Sequence, residues 1–256
     1  MRAPQALDAR GALVAFSRGK ARGLTSLSPA FAESRAWWVS QLREMLDAGA
    51  DGLDLRVRHH QSPLSWAEYG FEPPVRDAYM ARYGVDLWTT DAFHAPAWRR
   101  LRGEAYTEFY REAKRLARSY GKPLGLHIGP IEQLEPEQGC ALEMHLDWRT
   151  WIDEGLADSI TLKELWPHTR FFEELLSHAR PRGVSVAFSP YANNIWRRSD
   201  GVRICADRIR LAREYGCDGF QFYESAAIVR ADEAGRIVML QPELREVFRR
   251  EFGVNP

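Results

Sequence analysis

The chain has 256 residues, and a single barrel domain of about 250 residues is a common use of that length. Its 35 basic and 35 acidic residues cancel, which excludes the basic footprint of a nucleic-acid binder. Hydrophobic content of 45% suits a globule, and no apolar run nears the roughly 18 residues of a membrane-spanning helix. The start, MRAPQALDARGALVAF, has too short an apolar stretch for a secretory leader, so the chain as it stands reads as cytoplasmic, while a truncated start that lost a signal peptide leaves localisation open. Cys140, Cys205 and Cys217 are odd in number and lack metal-ligand spacing, and read as free core thiols.

In chain order, Ala12–Phe16 is a first short apolar run. Then comes a junction that recurs five times, in which a helical pattern stops at a glycine and a short β-rich run follows. The five are LDAGADGLDLRV (46–57), SYGKPLGLHI (119–128), DEGLADSITLK (153–163), RPRGVSVAFS (180–189) and EYGCDGFQFY (214–223). Glycine ends a helix at little cost because it accepts left-handed backbone. Between the first two junctions lies a long connection, with its own helix near 73–83, opened by Pro73-Pro74 and closed by Gly84. An amphipathic helix over 99–118 buries Leu101, Ala105, Phe109, Ala113 and Leu116. Another over 200–215 buries Val202, Cys205, Ala206, Ile209 and Ala212, behind Ser199-Asp200 as its start signal. Alternating helix and strand predicts parallel βαβ units.

Side chains alternate across a strand. Asp54 and Arg56 oppose Leu53, Leu55 and Val57; His127 opposes Leu124 and Leu126; Ser159, Thr161 and Lys163 oppose Ile160 and Leu162. Ser185, Ala187 and Ser189 oppose Val184, Val186 and Phe188, and Gln221 and Tyr223 oppose Phe220 and Phe222. A doubly wound sheet would be apolar on both faces, so this split favours a barrel with helices outside and polar groups within. A closed barrel needs eight strands, whereas the runs found number six, so either the sheet is open or the front of a barrel is absent. Asp54, Arg56 and Lys163 are open to a structural reading, as a paired charge network filling the interior.

The strands' C-terminal ends carry Arg58, His59, His60, His127, Lys163, Glu164, Trp166, Tyr191, Asn193, Tyr223 and Glu224, with Trp66 and Tyr69 on the long connection. This rim is where such folds place active sites. Glycoside cleavage needs two carboxyl groups, and Glu164, Glu224 and the deeper Asp54 supply them, while the aromatic rings offer flat surfaces for sugar faces. A zinc-type site is a competing chemistry, but the adjacent His59 and His60 point opposite ways in extended chain, so no metal ligand is assigned and no cofactor is expected. His94, His168 and His178 read as surface residues.

The runs DGLDLRVRHH, EYGFEPPVRDAYMARYGVDLW and AWRRLRGEAYTEFYREAKRLA resemble the family-10-like glycosyl hydrolase proteins, relatives of the α-amylase-type barrels. HLDWRTWIDEGLADSITLKEL resembles their approach to strand six, and LTSLSPAFAESRAWWVSQLREML their segment between strands three and four. The resemblance implies an α/β fold of the (β/α)8 TIM-barrel type lacking its first two or three strands, a single domain over 1–256 with residues 59–97 inserted after the strand at 52–57. It implies hydrolysis of an oligo- or polysaccharide but carries over no nucleophile, and the rim reading supplies Glu224 and Glu164 as the carboxylate pair, with Asp54 as a supporting charge. Arg56, Arg58, His59, His60, Trp66, Tyr69, His127, Lys163, Trp166, Tyr191, Asn193 and Tyr223 would bind substrate. The cationic excess among these points to an acidic sugar. A carbohydrate is the expected partner, a homo-oligomer is compatible with the sequence, and nucleic acid and membrane are not expected. One departure matters: the fourth-strand Arg-x-Asp of amylase-type barrels is here Asp54-Leu55-Arg56, and the fifth strand ends in His127 where those relatives carry an acid. An inactive carbohydrate-binding protein and a metal-dependent barrel hydrolase are the alternatives.

Overall fold

A computed structural model describes residues 27–56, 71–90, 92–128, 145–164, 169–190, 200–221, 229–239 and 242–252. The run Ala12–Phe16 lies outside them. In chain order the elements are α1 (Ala32–Asp47), β1 (Leu53–Arg56), α2 (Pro73–Tyr83), α3 (Ala95–Ser119), β2 (Leu124–Ile128) and α4 (Trp148–Asp153). There follow β3 (Ser159–Glu164), α5 (Thr169–Ala179), β4 (Ser185–Pro190), α6 (Gly201–Glu214), β5 (Gly219–Phe220), β6 (Val229–Ala231), β7 (Ile237–Met239) and α7 (Glu243–Phe252).

All five junctions carry one hydrogen-bond pattern. At Gly49, Gly121, Gly155, Gly183 and Gly216, φ lies between 64° and 94°. Each of these glycines donates its N–H to the carbonyl three residues back, at 2.9–3.0 Å. The next residue donates to the carbonyl five back: Ala50 to Met45, Lys122 to Ala117, Leu156 to Trp151, Val184 to Ala179 and Cys217 to Ala212, at 2.8–3.2 Å. This paired closure satisfies two helix-end carbonyls and turns the chain toward the next strand.

The strands β1 to β5 form an open five-stranded sheet whose spatial order is their chain order. A doubly wound sheet reverses order at a switch point, and this one does not. The β3–β4 and β4–β5 pairs are parallel, with Ile160 opposite Val186, Leu162 opposite Phe188 and Phe188 opposite Phe220. Barrel closure is not seen among the described strands. The antiparallel pair of β6 and β7, and α7 after it, were not anticipated, because three-residue strands leave little periodicity to read. Their turn rests on Asp232, whose carboxylate accepts the N–H groups of Ala234 and Arg236, both at 2.9 Å.

The chain divides into two compact units, one of 1–125 and 129–157, the other of 126–128 and 158–256. In the second, the apolar strand face meets α5: Phe172 packs edge-on against Phe188 at 5.7 Å, and Phe188 against Phe220 at 6.0 Å. Ile160, Val186 and Phe188 are fully buried, so the predicted apolar face does turn to a helix. Asp218 ties β5 to β4, its carboxylate accepting the Val186 N–H and its own N–H reaching the Val186 carbonyl, both at 2.8 Å. Cys205 and Cys217 are buried free thiols, and Cys140 lies outside the described residues.

In the first unit the long connection builds its own apolar cluster of Phe71, Val75, Tyr79, Leu87, Ala97, Trp98 and Leu101. Arg76 grips Asp86 with two hydrogen bonds and lies over the Trp88 ring at 4.3 Å, while Trp88 Nε1 donates to the Phe71 carbonyl at 2.7 Å. The Arg76 guanidinium holds the Asp86 carboxyl down at about 2.

Two outcomes follow. Gly183→Ala places a Cβ in open space but in left-handed backbone, so stability should fall by about 1–2 kcal/mol in urea melts with unchanged slope. A fall under about 0.3 kcal/mol would show that the junction does not need glycine. Because the folded pKa of Asp86 is depressed, its stabilisation is present above pH 4 and lost as pH falls from about 4 toward about 2. Asp86→Asn should flatten that acid limb, and an unchanged limb would remove Asp86 from the account.

Candidate functional site

Alternation along β2, β3 and β4 collects polar side chains on the face away from α5. His127 is 8% exposed, Thr161 7%, Lys163 2% and Ser189 1%. Register sets Lys163 directly beside Ser189 and Thr161 beside Ala187. Parallel neighbours of this kind lie about 4.8 Å apart. Burial on this face deepens along each strand: Ser159 is half-buried before Thr161 and Lys163, and Ser185 is exposed while Ser189 is buried. Gln221, whose N–H extends the ladder to the Phe188 carbonyl at 2.9 Å, is half-buried at the end of β5. The second unit therefore holds a donor-rich cluster at the C-terminal ends of adjacent strands. Within it the Ser189 hydroxyl has no hydrogen-bond partner among the described residues.

The other predicted residues divide clearly. Glu164 ends β3, paired in register with Pro190. Arg56 is half-buried on β1, whereas Asp54 is exposed. The expectation that Asp54 lies deep in the interior is corrected, because β1 is the edge of the described sheet and no further described strand covers it. Arg58, His59, His60, Trp66, Tyr69, Trp166, Tyr191, Asn193, Tyr223 and Glu224 lie outside the described residues. His94 is exposed as expected, His178 is half-buried, and His168 is also outside the described residues. Among the described residues no group of three His, Cys, Asp or Glu side chains could hold a metal ion, and no helix is long and apolar enough to cross a membrane.

Sequence reasoning missed a second cluster, in the first unit. Glu72, the residue before Pro73-Pro74, is 3% exposed, and its carboxyl does not cap α2. Ser28 hydrogen-bonds to it, Arg102 lies near enough to favour its anion, and burial outweighs both and raises its pKa. Its Oε2 has no hydrogen-bond partner among the described residues. Arg102, Tyr106 and Tyr110 recur every four residues along α3 and so share one face. Burial pushes the Tyr106 phenol up to about 12, and the wholly buried Tyr110 hydroxyl has no hydrogen-bond partner among the described residues. The sequence signals were a carboxylate directly before a Pro-Pro helix start and that four-residue polar stripe.

No family profile matches the chain, and no curated protein matches it. Among solved structures, the glycoside hydrolase domain of PgaB (BpsB) from Bordetella bronchiseptica aligns with a TM-score of 0.56 at 15% identity, over 82% of this chain and 63% of that one. The chain is similar in fold to a glycoside hydrolase domain. It spans less than two thirds of that neighbour's length. Two structures of a GH20 exo-β-N-acetylglucosaminidase from Vibrio harveyi, an inactive mutant and a complex with N-acetylglucosamine, align at 14% and 17% identity. Both cover 66% of this chain and 20% of theirs, and their TM-score of 0.34 carries no argument.

An unpartnered buried hydroxyl costs the fold roughly 1–3 kcal/mol. Ser189→Ala should therefore leave stability within about 0.5 kcal/mol of the parent, or raise it, in chemical denaturation. A loss above about 1 kcal/mol would make the Ser189 hydroxyl a structural group rather than one available to a ligand.

Proposed function

We propose that the chain is a glycoside hydrolase acting on an oligo- or polysaccharide. The observation that carries this reading is the cluster of His127, Thr161, Lys163 and Ser189, buried at adjacent strand ends of a sheet wound in a single order. Strand ends of that kind are where α/β barrels bind ligands. Sugars are recognised by many hydrogen bonds at once, and these side chains supply donors.

The finer reading is a (β/α)8 barrel of the family-10-like type, a single domain with residues 59–97 as an insertion on its rim. Glu224 and Glu164 are assigned as the carboxylates, with Asp54 as a supporting charge. Arg56, Arg58, His59, His60, Trp66, Tyr69, His127, Lys163, Trp166, Tyr191, Asn193 and Tyr223 are assigned to substrate. The cations among them favour an acidic sugar. A second reading, a barrel that binds carbohydrate without cleaving it, draws on Arg56 and His127 standing where amylase-type relatives carry acids.

Glu224→Gln and Glu164→Gln separate the two. Each should lower hydrolysis of a neutral and uronic oligosaccharide panel by about 100-fold or more while leaving binding intact. Binding without turnover in the parent protein would select the second reading, and binding of none of the panel would sink both.

A further inference from the structure

The connection after β1 carries two carboxyl groups in opposite surroundings. Asp86 closes it as an anion, gripped by Arg76 through two hydrogen bonds. Glu72 stands at the entry of α2, 3% exposed, and its Oε2 has no hydrogen-bond partner among the described residues. The Glu72 backbone has little freedom to move alone. Its carbonyl accepts the Arg76 N–H at 2.9 Å, and the next two residues are prolines with fixed φ. On the other side, the Phe71 ring stacks on Trp98 at 5.0 Å, and the Phe71 carbonyl accepts Trp88 Nε1. A carboxyl enclosed in this way reaches water by lifting the entry of α2 from α3.

We propose that Glu72 is a pH-sensitive latch on this connection: the neutral acid keeps the entry of α2 packed on α3, and the anion releases it. An anion would place charge on an oxygen that no described donor meets, and a buried charge without partners is the costlier form. Among the described residues, the groups that face Glu72 are Arg102 and Tyr106 of α3 and the Ser28 hydroxyl from the segment before α1. Burial raises the Glu72 pKa, and Arg102, the residue's own N–H and Ser28 oppose it with smaller effect. Tyr106, pushed up to about 12 by burial, stays neutral. Other charges on the neighbouring elements are engaged elsewhere: Arg76 with Asp86, Arg82 with Glu104 and Arg35 with Glu112, while Asp77 is exposed. An acid whose folded pKa is raised contributes stability that is complete below its ordinary value of 4.5 and is lost as pH rises through the raised one. Asp86 acts in the opposite direction, losing its hold as pH falls toward about 2. The connection is therefore closed in mild acid and loosens as pH rises.

Amide hydrogen exchange on the intact chain, corrected for the intrinsic pH dependence of exchange, reads the latch. Between about pH 5 and about pH 8 the α2 amides should lose about 10-fold or more in protection, while those of α6 stay within about 3-fold. Glu72→Gln, neutral at every pH, should hold α2 protection within about 3-fold over the same range. A parent with flat α2 protection, or a variant that loses protection as the parent does, overturns the latch. Equal loss in α2 and α6 overturns it too, because the whole chain is then loosening. Should Glu72→Gln not fold, Arg102→Gln decides. Without the cation that favours the anion, the midpoint of release should move to higher pH, and an unmoved or lower midpoint overturns the latch.

Discussion

The architecture depends on how each helix is closed. Five helical segments end in the same pair of backbone hydrogen bonds around a left-handed glycine, and a strand begins one to three residues later. Such a closure does two things at once. It satisfies carbonyls that would otherwise be orphaned at the helix end, and it fixes the direction in which the chain leaves. With so few residues between the cap and the sheet, each strand has little freedom to choose its partner. Repetition of this local device starts each strand at a fixed point after its helix, and the strands lie in chain order.

Once the strands are placed, alternation does the rest. Leu162, Phe188 and Phe220 turn toward α5, which leaves Thr161, Lys163 and Ser189 on the other face. Side chains such as Phe172 and Phe188, each fully buried, contribute about 1.5–3 kcal/mol each. That apolar face carries enough burial to hold a polar one opposite it. The polar face grows more buried toward the strand ends, so Lys163 and Ser189 sit in surroundings where hydrogen bonds are strong and unmet ones are costly.

The long connection after β1 is a second structural system. Its helix docks through Val75 and Tyr79 onto Trp98 and Leu101 of α3, and the Arg76–Asp86 pair pins its closing turn. This docking buries the residue just ahead of the helix, which is Glu72. A carboxyl that would be an ordinary solvated anion in an open loop is thereby desolvated beside Arg102. Its chemistry comes from the packing of the insertion, not from its immediate neighbours in the chain.

The sequence alone determined the five junctions, the helices over 73–83, 99–118 and 200–215, and the two-faced character of the strands. Each is written in short-range signals: a glycine at a helix end, a period of about 3.6 or of 2. The His127, Lys163 and Ser189 positions were legible for the same reason, since alternation and register are local properties. Tertiary structure decided what periodicity cannot carry. Asp54 shares a strand face with Arg56 in the sequence, yet only the position of β1 at the edge of the described sheet leaves Asp54 exposed. Glu72 looked like any acid before a proline pair, and only the approach of Ser28 and of α3, thirty or more residues away, made it a buried one. Burial, and with it the protonation of a carboxyl, is set by contacts between distant segments, and no local pattern encodes them.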